Sequence, residues 1–391
     1  MHTPITQCLC CGNETLYTIL DLGQQPPANS FHNIQETLPE YELKLMGCAD
    51  CWHTQLSVAV DPAELFRHYL YVSGTSETLQ RYFREFAERQ GGQPGTVLDI
   101  ACNDGSQLNA FRALGWKTVG VDPAKNLTPI AAKSGHEVYT GFWDMPMAIA
   151  MDTTFDLIVA QNVFAHTANP GAFLDACYEV MNRESRLLIQ TSQAHMFERG
   201  EFDTIYHEHI SFFCVNSMKA IADRHGFSVT DVQITDIHGG SYVFELKVGL
   251  GQPCRREPNE LYKHHREFYE EFAVHARTVL KNLKDTVNLF KTQDYTVIGY
   301  GAAAKGMTLL NAGEIGLDFI VDDNKLKQGL LTPGMDIPVY SSDHLLYYDR
   351  PVIFVPLAWN FFSEIKTKIK QLRPEYPDQF VLYFPEIQIQ S

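Results

Sequence analysis

The stretch TVLDIACNDGSQLNAFRALGWKTVGVDP, Thr96 to Pro123, decides the fold. An apolar run ends at Asp99, a tight turn passes through Gly105, a helix follows, and KTVGVDP gives a second strand ending at Asp122. Further strands at EVYTGFWD, FDLIVAQNVF and RLLIQTS alternate with amphipathic helices, and GFSVTDVQI with SYVFELKV closes the region as an antiparallel pair. Alternating strands and helices of this kind imply an α/β fold with a parallel, doubly wound sheet.

Ligands of such sheets bind at the carboxyl ends of the strands, where the strand order reverses. Asp99 and Asp122 both fall at such ends, about twenty residues apart, and Asp122 is placed to accept hydrogen bonds from ribose hydroxyls. A dinucleotide fold wants G-x-G-x-x-G in the first turn to admit a pyrophosphate. Here the turn is DIACNDG, with an acid and one late glycine, which suits a cationic sulfonium carrying an amino-acid tail. S-adenosylmethionine fits this turn and NAD does not. The candidate donor-binding residues are Asp99, Asn103, Asp104, Gly105, Asp122 and Pro123, with Trp143, Asp144 and Asn162 further along. Upstream, the whole stretch DPAELFRHYLYVSGTSETLQRYFREFAERQGG reads as helical. Asp61 caps it, Pro62 takes the first position, Leu79, Tyr82, Phe83 and Phe86 recur on one face, and Gly91-Gly92 stop it.

With 391 residues the chain is too long for one ordinary core, so two or three domains are expected. Hydrophobic content of 45% and aromatic content of 12% fit a well-packed globular protein. The net charge of −16 argues against a nucleic-acid partner, because nothing offsets the repulsion of a phosphate backbone. No apolar run reaches transmembrane length and the beginning MHTPITQCLC has no apolar signal core, so a soluble cytoplasmic protein without membrane attachment is expected. In a reducing compartment the nine cysteines do not form a disulfide framework.

Four of those cysteines form two C-x-x-C pairs, Cys8 with Cys11 and Cys48 with Cys51. Each pair is a knuckle able to hold two thiolates about 2.3 Å from one tetrahedral Zn²⁺. Cys10, His2 and His53 lie close enough in sequence to substitute as ligands. A closed four-cysteine site has no open position, so the zinc is structural and folds a segment poor in apolar residues.

Tyr206, His207, Glu208 and His209 put unusual proton-transfer capacity into four consecutive positions, which neither a strand nor a helix can point one way. In the last third, CRREPNELYKHHREFYEEFAVHARTVLKNLKDTVNLF reads as a charge-rich helical connector. YTVIGYGAAAKGMTLLNAG then reads as strand, glycine turn and helix, with further strands at LDFIVDDN and RPVIFVPLAW. This is a second Rossmann-like half whose G-x-G-x-x-x-G turn departs from the dinucleotide fingerprint by one position. The acids of VDDN mimic a ribose contact, which supports a rival reading as an NAD(P)-dependent oxidoreductase.

The paired C-x-x-C, LFRHYLYVSGTS, LDIACNDG, YHEH and GYGAAAKG occur in this order, and together they cover nearly the whole chain. The combination resembles the three-domain, zinc-binding, S-adenosylmethionine-dependent C-methyltransferases that act on nucleotide-linked 4-keto-6-deoxy sugars. The resemblance implies a zinc module at 1–60, a methyltransferase domain at 61–255 and a Rossmann-like domain at 256–391 that helps hold the substrate's nucleotide, dTDP or GDP. It implies that His209 is the base, with Tyr206 and Glu208 beside it, and that His166 of NVFAH and Tyr69 or Tyr71 of the Y-x-Y-x-S segment also serve the acceptor. The turn amides at Gly301, with Lys305, are expected near the diphosphate, and His238 and Ser241 of IHGGSYVF near the sugar or the diphosphate.

The chemistry accounts for these residue types. A ketone at sugar C4 acidifies C3, so a neutral histidine with a pKa near ~6.5 can act as base there. Charge then develops on the C4 oxygen, where hydroxyl and imidazole donors such as Tyr206, Tyr71 and His166 stabilise it. The carbanion takes the methyl of S-adenosylmethionine and leaves S-adenosylhomocysteine. The competing readings are an O- or N-methyltransferase, the oxidoreductase, and a non-catalytic zinc-module binder. The assembly expected is a monomer or weak homo-oligomer.

Overall fold

The computed structural model describes the 391 residues except Gln35, 67–72, Ser76, Gln193 and 259–263, and of Thr75 only the backbone. The chain forms two compact units. The first comprises Met1–Tyr17, Met46–Ala194 and Glu208–His265, and the second Thr18–Leu45, His195–His207 and Arg266–Ser391. The cysteine-bearing ends of the N-terminal region therefore fold with the region that holds the Thr96–Pro123 stretch, whereas its middle folds with the C-terminal third.

In the first unit, seven strands form the doubly wound sheet: β1 (Thr96–Ile100), β2 (Lys117–Asp122), β3 (Glu137–Thr140), β4 (Leu157–Gln161), β5 (Arg186–Thr191), β6 (Phe227–Thr235) and β7 (Ser241–Val248). Their order is β3-β2-β1-β4-β5-β7-β6. The first five are parallel, and β7 runs antiparallel to both β5 and β6. Strands buried on both faces need apolar residues at every position. Leu98, Ile158 and Ile189 accordingly pack on one side with Phe173 and Ile221, while Val97, Val159 and Leu188 pack on the other with Phe86 and Phe111. The order reverses at β1, so the crevice for a ligand opens where the carboxyl ends of β1 and β4 part.

The single helical element expected ahead of β1 is broken. Among the described residues it consists of a helix Pro62–Phe66, a 3₁₀ turn Ser73–Thr75 and a helix Glu77–Arg89. The cause is tertiary. The amides of Ser73 and Gly74 donate to Asn103 Oδ1 at 3.1 Å and Asp104 Oδ2 at 3.0 Å, so the segment is drawn onto the turn after β1. The cap and stop hold as expected: Asp61 Oδ1 accepts from the Ala63 amide at 2.9 Å, and Gly91 and Gly92 take left-handed φ of 55° and 76°.

The second unit has a six-stranded sheet of β8 (Val297–Tyr300), β9 (Phe319–Val321), β10 (Val339–Tyr340), β11 (Ile353–Pro356), β12 (Gln379–Leu382) and β13 (Gln388–Gln390). The order is β10-β9-β8-β11-β12-β13, parallel except for β13. The helix Arg266–Thr292 buries Tyr269, Phe272, Ala276, Leu283 and Val287 along one stripe. Among the described residues, the connector expected to be helical from Cys254 is non-helical over 254–258 and helical over Arg266–Thr292. Pro253 and Pro258 forbid helix upstream, and in the first unit the Arg255 and Arg256 backbones instead bond Thr230 and Val232 of β6 at 2.9 Å each. Within the second unit, His32 exchanges backbone hydrogen bonds with Leu331 at 2.9 and 3.2 Å, and its Nε2 lies 3.0 Å from Asp336.

Candidate active site and metal centre

The four cysteines converge. Cys8 and Cys51 sulfurs are 3.5 Å apart, as are those of Cys11 and Cys48, and all four lie within 4.8 Å of one another. A tetrahedron with 2.3 Å zinc–sulfur bonds has sulfur–sulfur edges of about 3.8 Å, so the set fits Zn²⁺. Both knuckles have one geometry. The Cys8 amide donates to Asn13 O and the Cys48 amide to His53 O, at 2.8 and 2.9 Å. Gly12 and Trp52, each following the second cysteine of its pair, take φ of 79° and 60°. The alternative ligands do other work: His53 is fully buried with Nε2 at 3.2 Å from Ser211 Oγ, Cys10 is buried outside the cluster, and His2 is exposed.

The turn after β1 is built around acids. Asp99 and Asp122 are 3% and 5% exposed, and burial raises both carboxyls, Asp99 further through Asp122 and Asp104. Asp122 accepts from the Asn103 amide at 2.9 Å and the Ala124 amide at 2.7 Å. A ligand bearing positive charge relieves such crowded carboxyls, which is the property expected of a sulfonium site. Gly105 has φ 83°, and a Cβ there would lie 3.0 Å from Ala131 Cβ, so only glycine closes this turn against its neighbour helix. Asp144 caps the helix Met145–Met151 through the Met147 amide at 2.9 Å, and Trp143 Nε1 donates to Phe173 O at 3.3 Å. Pro123 is half-buried at the end of β2. Asn162, at φ 54°, follows β4, and its Oδ1 is buried with no partner among the described residues.

Around the carboxyl end of β4 the catalytic candidates meet. A 3₁₀ turn, Phe164–His166, follows β4. The Ile210 amide donates to Ala165 O at 2.9 Å, and the Leu56 amide to Ile210 O at 2.8 Å, which pins the segment carrying Glu208 and His209. The His166 ring stacks on Phe66 at 5.5 Å and lies 5.1 Å from the tilted ring of His209. Burial lowers the His166 pKa to about 4, so it is neutral at physiological pH and able to donate one N–H. His209 and Glu208 are 5% and 2% exposed. The chain passes from the second unit to the first between His207 and Glu208. Tyr206, half-buried, and His207, bonded to Tyr41 O, belong to the second unit. Tyr69 and Tyr71 lie outside the described residues. Ser241 Oγ donates to Ile237 O at 2.9 Å, closing the turn that contains His238 at φ 57° and Gly239-Gly240.

The second unit repeats the acid-tied turn. The Gly301 amide donates to Val321 O at 2.8 Å with φ 87°, and Asp322 accepts from the Ala302 and Asn324 amides at 2.6 and 2.7 Å. Asp323 accepts from Tyr300 and Ser342 hydroxyls, so both acids of VDDN already hold the fold together. The buried ammonium of Lys305 has no hydrogen-bond partner and lies 4.9 Å over the Trp359 ring. Asp203, which accepts from Trp359 Nε1 at 2.8 Å, and Glu201, pushed up to about 7 chiefly by burial, are close enough to feel its charge. Sequence patterns gave no sign of the Phe66 stack, of Gln107, whose buried amide is unpaired, or of Gln161 and Thr191, which hold further unpaired polar atoms at the ends of β4 and β5.

Comparison with known proteins places these features. The chain matches a zinc binding domain over residues 8–66, a methyltransferase domain over 66–232 and a C-methyltransferase C-terminal domain over 250–385. It is 29% identical to the C-methyltransferase NovU of Streptomyces niveus, covering 99% of this chain and 97% of that one. The ubiquinone biosynthesis O-methyltransferase of Dinoroseobacter shibae is 30% identical over only 24% of the chain and 40% of its own length. Among solved structures, the magnesium protoporphyrin IX methyltransferase of Synechocystis PCC 6803 with bound S-adenosylmethionine aligns over 44% of this chain and 79% of its own. That alignment has 14% identity and a TM-score of 0.34.

Proposed function

The chain belongs to the S-adenosylmethionine-dependent C-methyltransferases built from a zinc-binding, a methyltransferase and a C-terminal domain, and from that premise we propose that it methylates C3 of a nucleotide-linked 4-keto-6-deoxy sugar. The observation that carries this reading is the His166–His209 ring pair at the carboxyl end of β4, 5.1 Å apart, with His209 buried and His166 half-buried with its Nε2 shut from water. A carbon acid needs a neutral base and a donor for the oxygen that takes up its charge, and this pair supplies both roles. His209 removes the C3 proton, and Glu208 orients it. His166, Tyr206 and a tyrosine of the 69–71 segment hold the C4 oxygen. When bound at Asp99, Asn103 to Gly105, Asp122, Pro123, Trp143, Asp144 and Asn162, S-adenosylmethionine supplies an already activated methyl group.

In this reading the nucleotide, dTDP or GDP, is held by the Gly301 turn and Lys305, whose unpaired ammonium suits a diphosphate oxygen, with His238 and Ser241 nearer the sugar. The zinc module, the methyltransferase region and the C-terminal region at 1–60, 61–255 and 256–391 supply these three parts. The product belongs to branched-chain deoxysugar biosynthesis.

Mass spectrometry of reactions with S-adenosylmethionine and a panel of dTDP- and GDP-4-keto-6-deoxyhexoses tests the reading. A gain of one methylene placed at C3 is expected. His209→Asn is expected to bind S-adenosylmethionine normally and to lose about 10²–10⁴ in turnover. Full turnover in that variant, or no mass gain on any sugar, refutes it.

A further inference from the structure

We infer that Thr191, at the carboxyl end of β5, is a further donor to the acceptor's developing oxyanion, beside His166 at the neighbouring end of β4. This rests on the carbon-acid reading of the site. Thr191 is 0% exposed and its hydroxyl has no partner among the described residues. A buried hydroxyl left unpaired destabilises the fold, because it has lost its water without gaining a partner. The other residues on that side of the strand, Leu187 and Ile189, belong to the apolar core, where valine would serve the packing without this penalty.

Position supports the pairing. The Asn162 amide donates to Gln190 O at 3.0 Å, so the chain leaving β4 lies against the end of β5. The 3₁₀ turn bearing His166 packs directly on β5. His166 Nε2 and Asn162 Oδ1 are also buried and unpaired. Unpaired buried polar atoms are rare in native proteins, and here they cluster at the edge where ligands of such sheets bind, beside the base His209. A hydroxyl and a neutral imidazole N–H, both shut from water, contribute two of the donors of an oxyanion site.

In the step served, transfer of the proton to His209 breaks the acceptor's C–H bond, and its electron pair moves through the carbon–carbon bond onto the carbonyl oxygen. That oxygen accepts from Thr191 and His166. Formation of the carbon–methyl bond returns the pair from oxygen as the sulfonium's sulfur–methyl bond breaks, leaving a neutral thioether. His209 then passes its proton to water.

The test uses full-length, zinc-loaded protein with Thr191→Val, which keeps shape and removes the hydroxyl, and Thr191→Ser, which keeps the hydroxyl. Two rates are read on the keto sugar: deuterium exchange at the acidic carbon in heavy water with S-adenosylhomocysteine present, and methyl transfer. Calorimetry gives the affinity for S-adenosylmethionine. Thr191→Val is expected to slow exchange and transfer together by about 10²–10³ with unchanged donor affinity, and Thr191→Ser to restore most of both. Exchange by Thr191→Val at the wild-type rate overturns the inference while leaving the acceptor reading standing. Equal damage from both substitutions, with donor affinity lost, also overturns it in favour of a packing role. If wild-type protein methylates but never exchanges a carbon-bound proton, the acceptor reading falls and this inference with it. Should Thr191→Val not fold, Thr191→Ala is read the same way against Thr191→Ser.

Discussion

Gly105→Ala probes the joint between the fold and the donor site. Gly105 has φ 83°, and an L-residue in the left-handed region costs about 1–2 kcal/mol. The added Cβ would sit 3.0 Å from Ala131 Cβ, 3.1 Å from Ala131 Cα and 3.1 Å from His136 Cδ2. Two of these atoms are the backbone and Cβ of a residue in the helix Thr128–Lys133, which has no rotamer to yield, so overpacking adds about 1–3 kcal/mol. The sum is about 2–5 kcal/mol. The turn relaxes through its neighbours Asn103 and Asp104, which in the proposed reading hold the methyl donor, so affinity for S-adenosylmethionine is expected to fall at least tenfold (about 1.4 kcal/mol). Gly115→Ala is the control: its φ is 88°, but a Cβ there meets Pro94 at an ordinary 3.5 Å. It should show only the backbone cost of about 1–2 kcal/mol and unchanged donor affinity. Chemical unfolding and isothermal titration of both variants separate the two contributions. Equal destabilisation of the two, with donor binding intact in both, would refute the crowding argument.

Two further outcomes follow from the metal centre and the buried imidazoles. The protein should carry one zinc per chain by elemental analysis, and Cys48→Ser or strong chelation should lower the thermal midpoint and open the two knuckle segments around Cys8–Cys11 and Cys48–Cys51 to protease, because the metal joins them. A chelated protein with an unchanged midpoint counts against the site. His53, His166 and His207 are all lowered from 6.5 to about 4, each chiefly by burial. Their neutral forms are favoured by folding. The stability they contribute is therefore complete above pH 6.5 and is lost as pH falls toward 4, at up to about 1.4 kcal/mol per pH unit for each residue. His207→Gln should flatten the fall of the unfolding midpoint across that window, and an unaltered slope would show that His207 does not titrate there.

Much of this protein is legible from local chemistry. The alternation of apolar runs with turns fixes the doubly wound sheet, because a strand buried on both faces and a helix buried on one leave different periodicities in the chain. Two C-x-x-C pairs name the zinc ligands, since each knuckle is a local turn whose geometry depends on adjacent residues. The sequence also supplies Asp99, Gly105 and Asp122 at strand ends, and His209 in a segment too dense in titratable groups for regular structure. The tertiary structure decided the rest, wherever partners are far apart in the chain. It drew Ser73 and Gly74 onto Asn103 and Asp104 and so broke a helix that local pattern made continuous. Residues 18–45 fold with the C-terminal third because His32 finds its partners some three hundred positions away, at Leu331 and Asp336. His166 lies between the stacked ring of Phe66 and the tilted ring of His209, and Thr191 leaves a hydroxyl unpaired among the described residues at the end of an otherwise apolar face. Propensity and spacing act over a few residues, whereas an active site is a convergence of strand ends, and only the folded sheet brings those ends together.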